Sequence, residues 1–192
     1  GGNVEYRAAV FNYKYSDLQV GFVGADSVVT TVNAASARNY GLELELRAKL
    51  AEGLTADFYA TLLSAKYTDF TTGDYRQGFR QVDVSGNYLQ NAPTSTAFAG
   101  LTYEVPVGSG KLALHAEAAY QGTVYFTEFN NADAVQGSYT IGNVSATWTD
   151  SSERWSVGGW VKNVGDEIII TNNIITAPLY GSIRVGSVAP PR

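Results

Sequence analysis

With 192 residues, a formal charge of −5 and its 13 Lys and Arg scattered singly, the chain has no basic patch, which excludes a nucleic-acid partner. Zero Cys excludes a disulfide scaffold and thiolate metal sites, and no run approaches the roughly 18 apolar residues of a membrane-spanning helix. The 20 Gly, 13 Tyr and low charged fraction of 16% suit strands joined by turns, with amphipathic rings at a water boundary. With no Met, not even an initiator, and no signal-peptide pattern at the start, the chain reads as a processed or excised piece.

Taken from the N-terminus, Ala9, Phe11 and Tyr13 form one face of a first strand. A short turn is expected at 16–17, followed by a strand with Leu18, Val20 and Phe22 on one face. A polar link at 24–38 leads to the clearest strand. There Tyr40, Leu42, Leu44, Leu46, Ala48 and Leu50 alternate with Gly41, Glu43, Glu45, Arg47 and Lys49. A helix would scatter those charges, whereas a strand gathers them on one face. Residues 40–50 make a strand longer than the usual 5–6 or so, and match the roughly 9–11 needed to cross a bilayer at a tilt.

After a turn at 51–53, residues 54–67 alternate less strictly, with Asp57, Tyr59 and Thr61 against Ala56, Phe58, Ala60 and Leu62. The longest link, 68–94, follows. Beyond it, a turn at 108–110 opens a strand in which Leu112, Leu114, Ala116, Ala118 and Tyr120 oppose Lys111, His115, Glu117 and Gln121. Its sequence Val107-Gly108-Ser109-Gly110-Lys111 joins two strands with no following helix, so it is a hairpin turn and not a phosphate loop. A link at 126–138 precedes Val144, Ala146 and Trp148, which oppose Asn143, Ser145 and Thr147. A turn at 150–153 then leads to Trp155, Val157 and Val161, with Trp160 on the polar side, and a last long link covers 166–190.

Short and long connections therefore alternate, as in an up-and-down sheet with tight turns at one rim and long loops at the other. The fold class is all-β: an antiparallel up-and-down transmembrane β-barrel segment of about eight strands. Tyr13, Tyr15, Tyr67, Phe70, Tyr103, Tyr120, Tyr125, Phe126, Trp148 and Trp155 lie toward strand ends, where interfacial girdles form. Two other architectures remain open: a self-contained eight-stranded barrel acting as anchor or adhesin, and a soluble β-sandwich binding module. In the second, the faces from Leu42 to Leu50 and Leu112 to Tyr120 would be buried against another sheet.

Several strings, in order, resemble the C-terminal barrel of TonB-dependent receptors. Ala9-Val10-Phe11-Asn12-Tyr13-Lys14-Tyr15-Ser16-Asp17-Leu18-Gln19-Val20 is similar to the family's aromatic strand leading through a turn into "LQ". Asn33-Ala34 before Tyr40-Gly41-Leu42-Glu43-Leu44-Glu45 is similar to its "NA…GxExE" hairpin. Tyr67-Thr68-Asp69-Phe70, Ser85-Gly86 and Asn91-Ala92-Pro93 resemble the loop ending in "AP", and Trp155 through Trp160-Val161-Lys162-Asn163-Val164-Gly165-Asp166 resembles the penultimate strand with its "KNLxD" ending.

The resemblance spans nearly all of 1–192, read as one partial barrel domain of the type with about 22 strands. It implies an outer-membrane receptor, embedded in outer-membrane lipid, that imports a small solute such as a ferric siderophore, cobalamin or a carbohydrate. It also implies an N-terminal plug as partner and TonB acting through that plug, neither of which this sequence contains. The Pro-rich end, Ala189-Pro190-Pro191-Arg192, resembles the link before the family's closing strand, placing the piece at roughly strands 14 to 21.

Residues with chemistry are few. Glu43, Glu45, Arg47, Lys49, His115 and Glu117 could line a conduit, but the simpler expectation is that they solvate the inner wall and contact the plug. His115 has no second His or Cys to share a metal, and Asp69, Asp74 and Asp83 match no calcium-loop spacing. No metal or cofactor is expected, and with one His on a strand wall no catalytic triad either, so the chain does not read as an enzyme. The substrate-binding candidates are Tyr75, Arg76, Phe79 and Arg80 in one loop, with Tyr125, Phe126 and Phe129, beside Asn130 and Asn131, in the next. Arg with aromatics can hold an anionic, planar ligand such as an iron chelate.

Overall fold

An alternating strand keeps its two faces consistent in one register only, because a slip of one residue exchanges them. A computed structural model describes residues 3–23, 29–175 and 184–188. The strands begin with β1 (Val4–Val23), β2 (Val29–Ala51), β3 (Leu54–Asp69), β4 (Thr71–Asp74) and β5 (Arg80–Asp83). They continue with β6 (Ser95–Val107), β7 (Gly110–Gln121), β8 (Val124–Tyr125), β9 (Val135–Gln136) and β10 (Tyr139–Asp150). The last are β11 (Ser156–Val161), β12 (Ile170–Ile175) and β13 (Arg184–Val188). A seven-stranded antiparallel sheet runs β1-β2-β3-β6-β7-β10-β11, while β4–β5, β8–β9 and β12–β13 form separate two-stranded ribbons. No helix among the described residues is long and apolar enough to cross a membrane.

The expected alternation sets the registers. Glu45 lies opposite Arg7 and Tyr59, while Leu44 lies opposite Ala8 and Ala60. Parity then runs unbroken across the sheet. Asp57, Gly100, Glu117 and Asn143 form one polar row, and Phe58, Ala99, Ala118 and Gly142 a neighbouring apolar one. Trp160 lies opposite Ser145, on the polar side, as the sequence implies.

Both rival architectures give way to this arrangement. The sheet ends at β1 on one side and β11 on the other without their pairing, so it is an open arc and not a closed small barrel. Among the described residues no second sheet covers the apolar face, where Tyr6 is 80% and Val10 83% exposed.

Tight turns fall at one rim, as expected. At the β2–β3 turn Gly53 has φ 70, a region that costs any residue with a side chain. A Cβ there would also overlap the Glu104 carbonyl oxygen, and the Gly53 carbonyl accepts from the Glu104 amide at 2.8 Å. Inside the wall, Gly41 lets the Phe11 ring lie over the backbone, where a Cβ would come 2.7 Å from Phe11 Cζ and overlap the Leu62 carbonyl oxygen.

Three sequence expectations need correction. No turn exists at 16–17, because β1 runs through it. Tyr15 pairs with Ala37 and Leu18 with Ala35, leaving Ser16 and Asp17 against a single residue as a β-bulge, with Asp17 at φ 56. The left-handed residue that signals a turn serves a bulge equally well.

The link at 24–38 is also mostly strand, since β2 already begins at Val29. Its remainder at 24–28, the stretch 176–183 and the Pro-rich end at 189–192 lie outside the described residues. Finally, of the aromatics assigned to a girdle, Tyr103, Tyr120 and Trp148 share the apolar face, but Tyr13, Tyr15 and Tyr67 do not. Those three lie on the polar-face parity, opposite Asn39 and Ala37. Nearness to a strand end does not choose a face; parity does.

Candidate functional site

The long connections are built as structure, and the side-chain core lies among them. Ala35, Tyr67, Phe70 and Val84 are buried together, with Leu18, Val20, Val82, Leu89 and Phe129 packed around them. Phe70, placed in the girdle by its sequence position, is thus a core residue at 3% exposure. The ribbon β4–β5 rises from this core and turns through a 3-10 segment, Tyr75–Gln77.

Asp74 organises that turn. It caps the segment by accepting from the Arg76 amide at 2.9 Å, and its carboxylate also takes Arg76 Nε at 3.0 Å, Arg76 Nη2 at 2.9 Å and Gln77 Nε2 at 2.8 Å. At 1% exposure, burial opposes its ionisation, yet the donors from Arg76 and Gln77 outweigh burial and hold the carboxyl below its ordinary value. Gly78 and Phe79 follow, both left-handed at φ 66 and φ 63, with the Phe79 amide donating to the Asp74 carbonyl at 2.9 Å. A bulky residue in that region is an outlier that surrounding bonds must hold.

A second loop locks onto the first. Asn130 accepts from the Tyr88 amide at 2.6 Å and donates to the Tyr88 carbonyl at 3.0 Å, so its side chain pairs with a backbone as a strand would. Asn87 donates to the Glu128 carbonyl at 2.9 Å, and Gln90 to the Glu128 carboxylate at 2.6 Å. Burial pushes the Glu128 carboxyl up from its usual range, partly countered by the Gln90 bond. Tyr88 and Tyr125 stack at 5.8 Å, and the Arg76 guanidinium lies 5.3 Å from the Phe129 ring and 4.0 Å from the Asp133 carboxylate.

The candidates therefore separate. Arg76, Phe129 and Tyr125 all serve the loop-to-loop contacts. Phe79 sits half-buried at the ribbon tip and Arg80 exposed beside it. Tyr75 belongs to the 3-10 segment, but its side chain lies outside the described residues. Phe126 lines a cavity of about 280 Å³ with Asn91, Gln121, Gln136, Tyr139 and Ile170. Gln136 is held there, accepting from the Ile170 amide at 2.8 Å and donating to the Gly137 carbonyl at 3.0 Å. Asn91, Gln121, Gln136 and Tyr139 are not among the substrate-binding candidates of the sequence, since separate segments bring them together.

On the polar face of the wall the charges meet across strands. Arg7 pairs with Glu45 at 3.2 Å and Arg47 with Asp57 at 2.6 Å. His115 lies 3.1 Å from Glu117 and 2.9 Å from the Thr102 hydroxyl, and Asn143 donates to Glu117 at 2.6 Å. Such half-exposed pairs add little stability each.

The family model for TonB-dependent receptor-like β-barrels matches residues 1–164. Among solved structures, the chain is similar to the ferric yersiniabactin uptake receptor FyuA from Yersinia pestis, at TM-score 0.80 and 22% identity, covering 100% of this chain and 26% of that one. It is similar also to BauA, the ferric preacinetobactin receptor from Acinetobacter baumannii, at TM-score 0.69 and 16% identity, with 100% and 26% coverage. A third likeness is to the siderophore receptor PiuA from the same species, at TM-score 0.71 and 21% identity, covering 97% of this chain and 24% of that one. At these identities the likeness is one of fold, and the chain spans a quarter of each neighbour's length.

Proposed function

The chain belongs to the TonB-dependent receptor β-barrel family, and from that premise we propose that it supplies part of the wall and external loops of an outer-membrane uptake receptor. The solute is a ferric siderophore or a similarly scarce compound. Uptake is energised by TonB acting through an N-terminal plug of the same protein. Residues 1–192 would form one contiguous part of the barrel domain, with outer-membrane lipid against the apolar face and the plug against the polar one. The family is one of transport receptors, not enzymes.

The observation that carries this reading is the division of labour between the two rims. Among the described residues one rim has tight turns, while the other bears two interlocked loops with their own core. A loop cap held rigid on an open wall suits capture of a solute at the outer surface, because preordered loops lose less entropy on binding. Within it, Phe79 and Arg80 at the ribbon tip and Phe126 in the 280 Å³ cavity are the substrate contacts we favour. Arg76, Tyr125 and Phe129 would act by holding the loops, and Tyr75 completes the turn.

The test uses the full-length protein. Ferric siderophores of catecholate, hydroxamate and mixed type would be titrated against its intrinsic fluorescence, and growth under iron limitation scored with and without TonB. Saturable quenching by one class and TonB-dependent growth on it are expected. Growth that persists without TonB, or no response to any ferric chelate beside a response to cobalamin or an oligosaccharide, would overturn the siderophore reading.

A further inference from the structure

Three cations share one cross-strand row on the apolar-parity face of the wall. Lys14 stands opposite Arg38, and Arg38 opposite Lys66. Like charges placed directly opposite destabilise a sheet, so such a row calls for an anion. Among the described residues no carboxylate pairs with any of the three. The nearest acids by register are Asp69, opposite Ser36 beyond the row, and Asp17 in the β1 bulge.

Two of the three side chains are also held in place. Arg38 Nε donates to Asn12 Oδ1 at 2.9 Å, with the guanidinium 5.2 Å from the Tyr40 ring, and the Lys66 ammonium lies 4.5 Å over the Tyr88 ring. The next row toward the turn rim is Asn12, Tyr40 and Ser64, and the one after it Val10, Leu42 and Leu62. These rows line an open trough of about 520 Å³ that begins at Arg38. Cations, then an interfacial Tyr, then aliphatics therefore follow one another down a single strip of the face turned to lipid. This is the order of groups in a membrane lipid seen from headgroup to chain.

We propose that this strip binds a phosphate-bearing lipid of the outer leaflet, with the Lys14–Arg38–Lys66 row gripping headgroup phosphate and the trough taking an acyl chain. Arg38 provides the planar, two-pronged donor that phosphate geometry suits, and the two Lys add charge on either side. The inference rests on the membrane-spanning reading above, so its test must separate the two.

The full-length protein in detergent would be incubated with diphosphoryl lipid A, with phosphatidylcholine, or with inorganic phosphate as competitor, and retained lipid counted by native mass spectrometry. Vesicle flotation would be run in parallel. Wild type should retain lipid A and not phosphatidylcholine, and the K14Q/R38Q/K66Q variant should retain about tenfold less or lower still. The K14Q/K66Q variant, which keeps the Arg38–Asn12 bond, should fall between them and serves if the triple variant does not fold. Equal retention by a folded variant and wild type overturns the site, as does equal retention of phosphatidylcholine. Complete displacement by inorganic phosphate would show an anion site with no lipid component. Failure of wild type to float would sink the membrane reading itself.

Discussion

The wall and the loop cap are stabilised in different ways. In the wall each strand pairs with the next wall strand along the chain, and the buried residues are small, such as Ala48 and Gly100. In the cap, Tyr67, Phe70 and Val84 are buried by side chains of neighbouring loops, and the bonds that close it join Asn130 to Tyr88, 42 residues apart. The wall holds its backbone by ladders and leaves both faces to other material. The cap is a small globular unit that packs against itself. Damage to the wall should therefore be felt through its surroundings, and damage to the cap through its internal contacts.

The strongest way to break the comparison is a charge in mid-wall. Leu44 lies on the apolar face at the middle of β2, and Leu44→Arg should cost about 2–4 kcal/mol of stability in denaturant unfolding from vesicles, with loop-tip mobility unchanged. Next is Asp74→Ala, which strips Arg76 and Gln77 of their acceptor and should loosen the cap by about 1–3 kcal/mol. Proteolysis within residues 70–94 should then accelerate while unfolding of the wall stays as in wild type; equal destabilisation of both would refute the separation. Asn130→Ala removes the two bonds to Tyr88 and should cost about 1 kcal/mol, read as faster hydrogen exchange at the Tyr88 amide.

The smallest effect is on pH. The Asp74 carboxyl is depressed in the fold, so its contribution is present above the ordinary 3.8 and lost as pH falls through the lowered value. The Glu128 carboxyl is raised, so its contribution is present below 4.5 and lost as pH rises through the raised value. Cap order, followed by a nitroxide at Arg80→Cys, should peak between those limits. Glu128→Gln should flatten the upper arm and leave the acid arm alone.

The wall was legible because period two needs only neighbouring residues. Glu43, Glu45 and Arg47 declare their face within one strand, and the register follows. The bulge at Ser16 and Asp17 was not legible, since the same left-handed residue closes a turn or extends a strand depending on what lies opposite. Within the cap, the loop residues were found as types, Arg and aromatics, but not as roles. Nothing local tells Arg76, clamped on Asp74, from Arg80, exposed three residues beyond the 3-10 segment. The row of Lys14, Arg38 and Lys66 likewise exists only once three strands are in register.

The bulge in β1 also acts on the grammar of the strand. Before it, even-numbered residues such as Val10 face outward; after it, the even-numbered Leu18 and Val20 pack into the cap core. Leu18 pairs with Ala35 and Gln19 with Asn33, so β2 makes a matching step at the next pair. The two strands change phase together, and pairing continues through to Val23 and Val29. A single-residue deletion here would work like a frameshift, turning the core set of one strand outward while its partner kept the old phase. Over evolutionary time, gains and losses of residues near Asp17 should therefore be matched by changes near Ala34, two positions that share no side-chain chemistry and are joined only by counting.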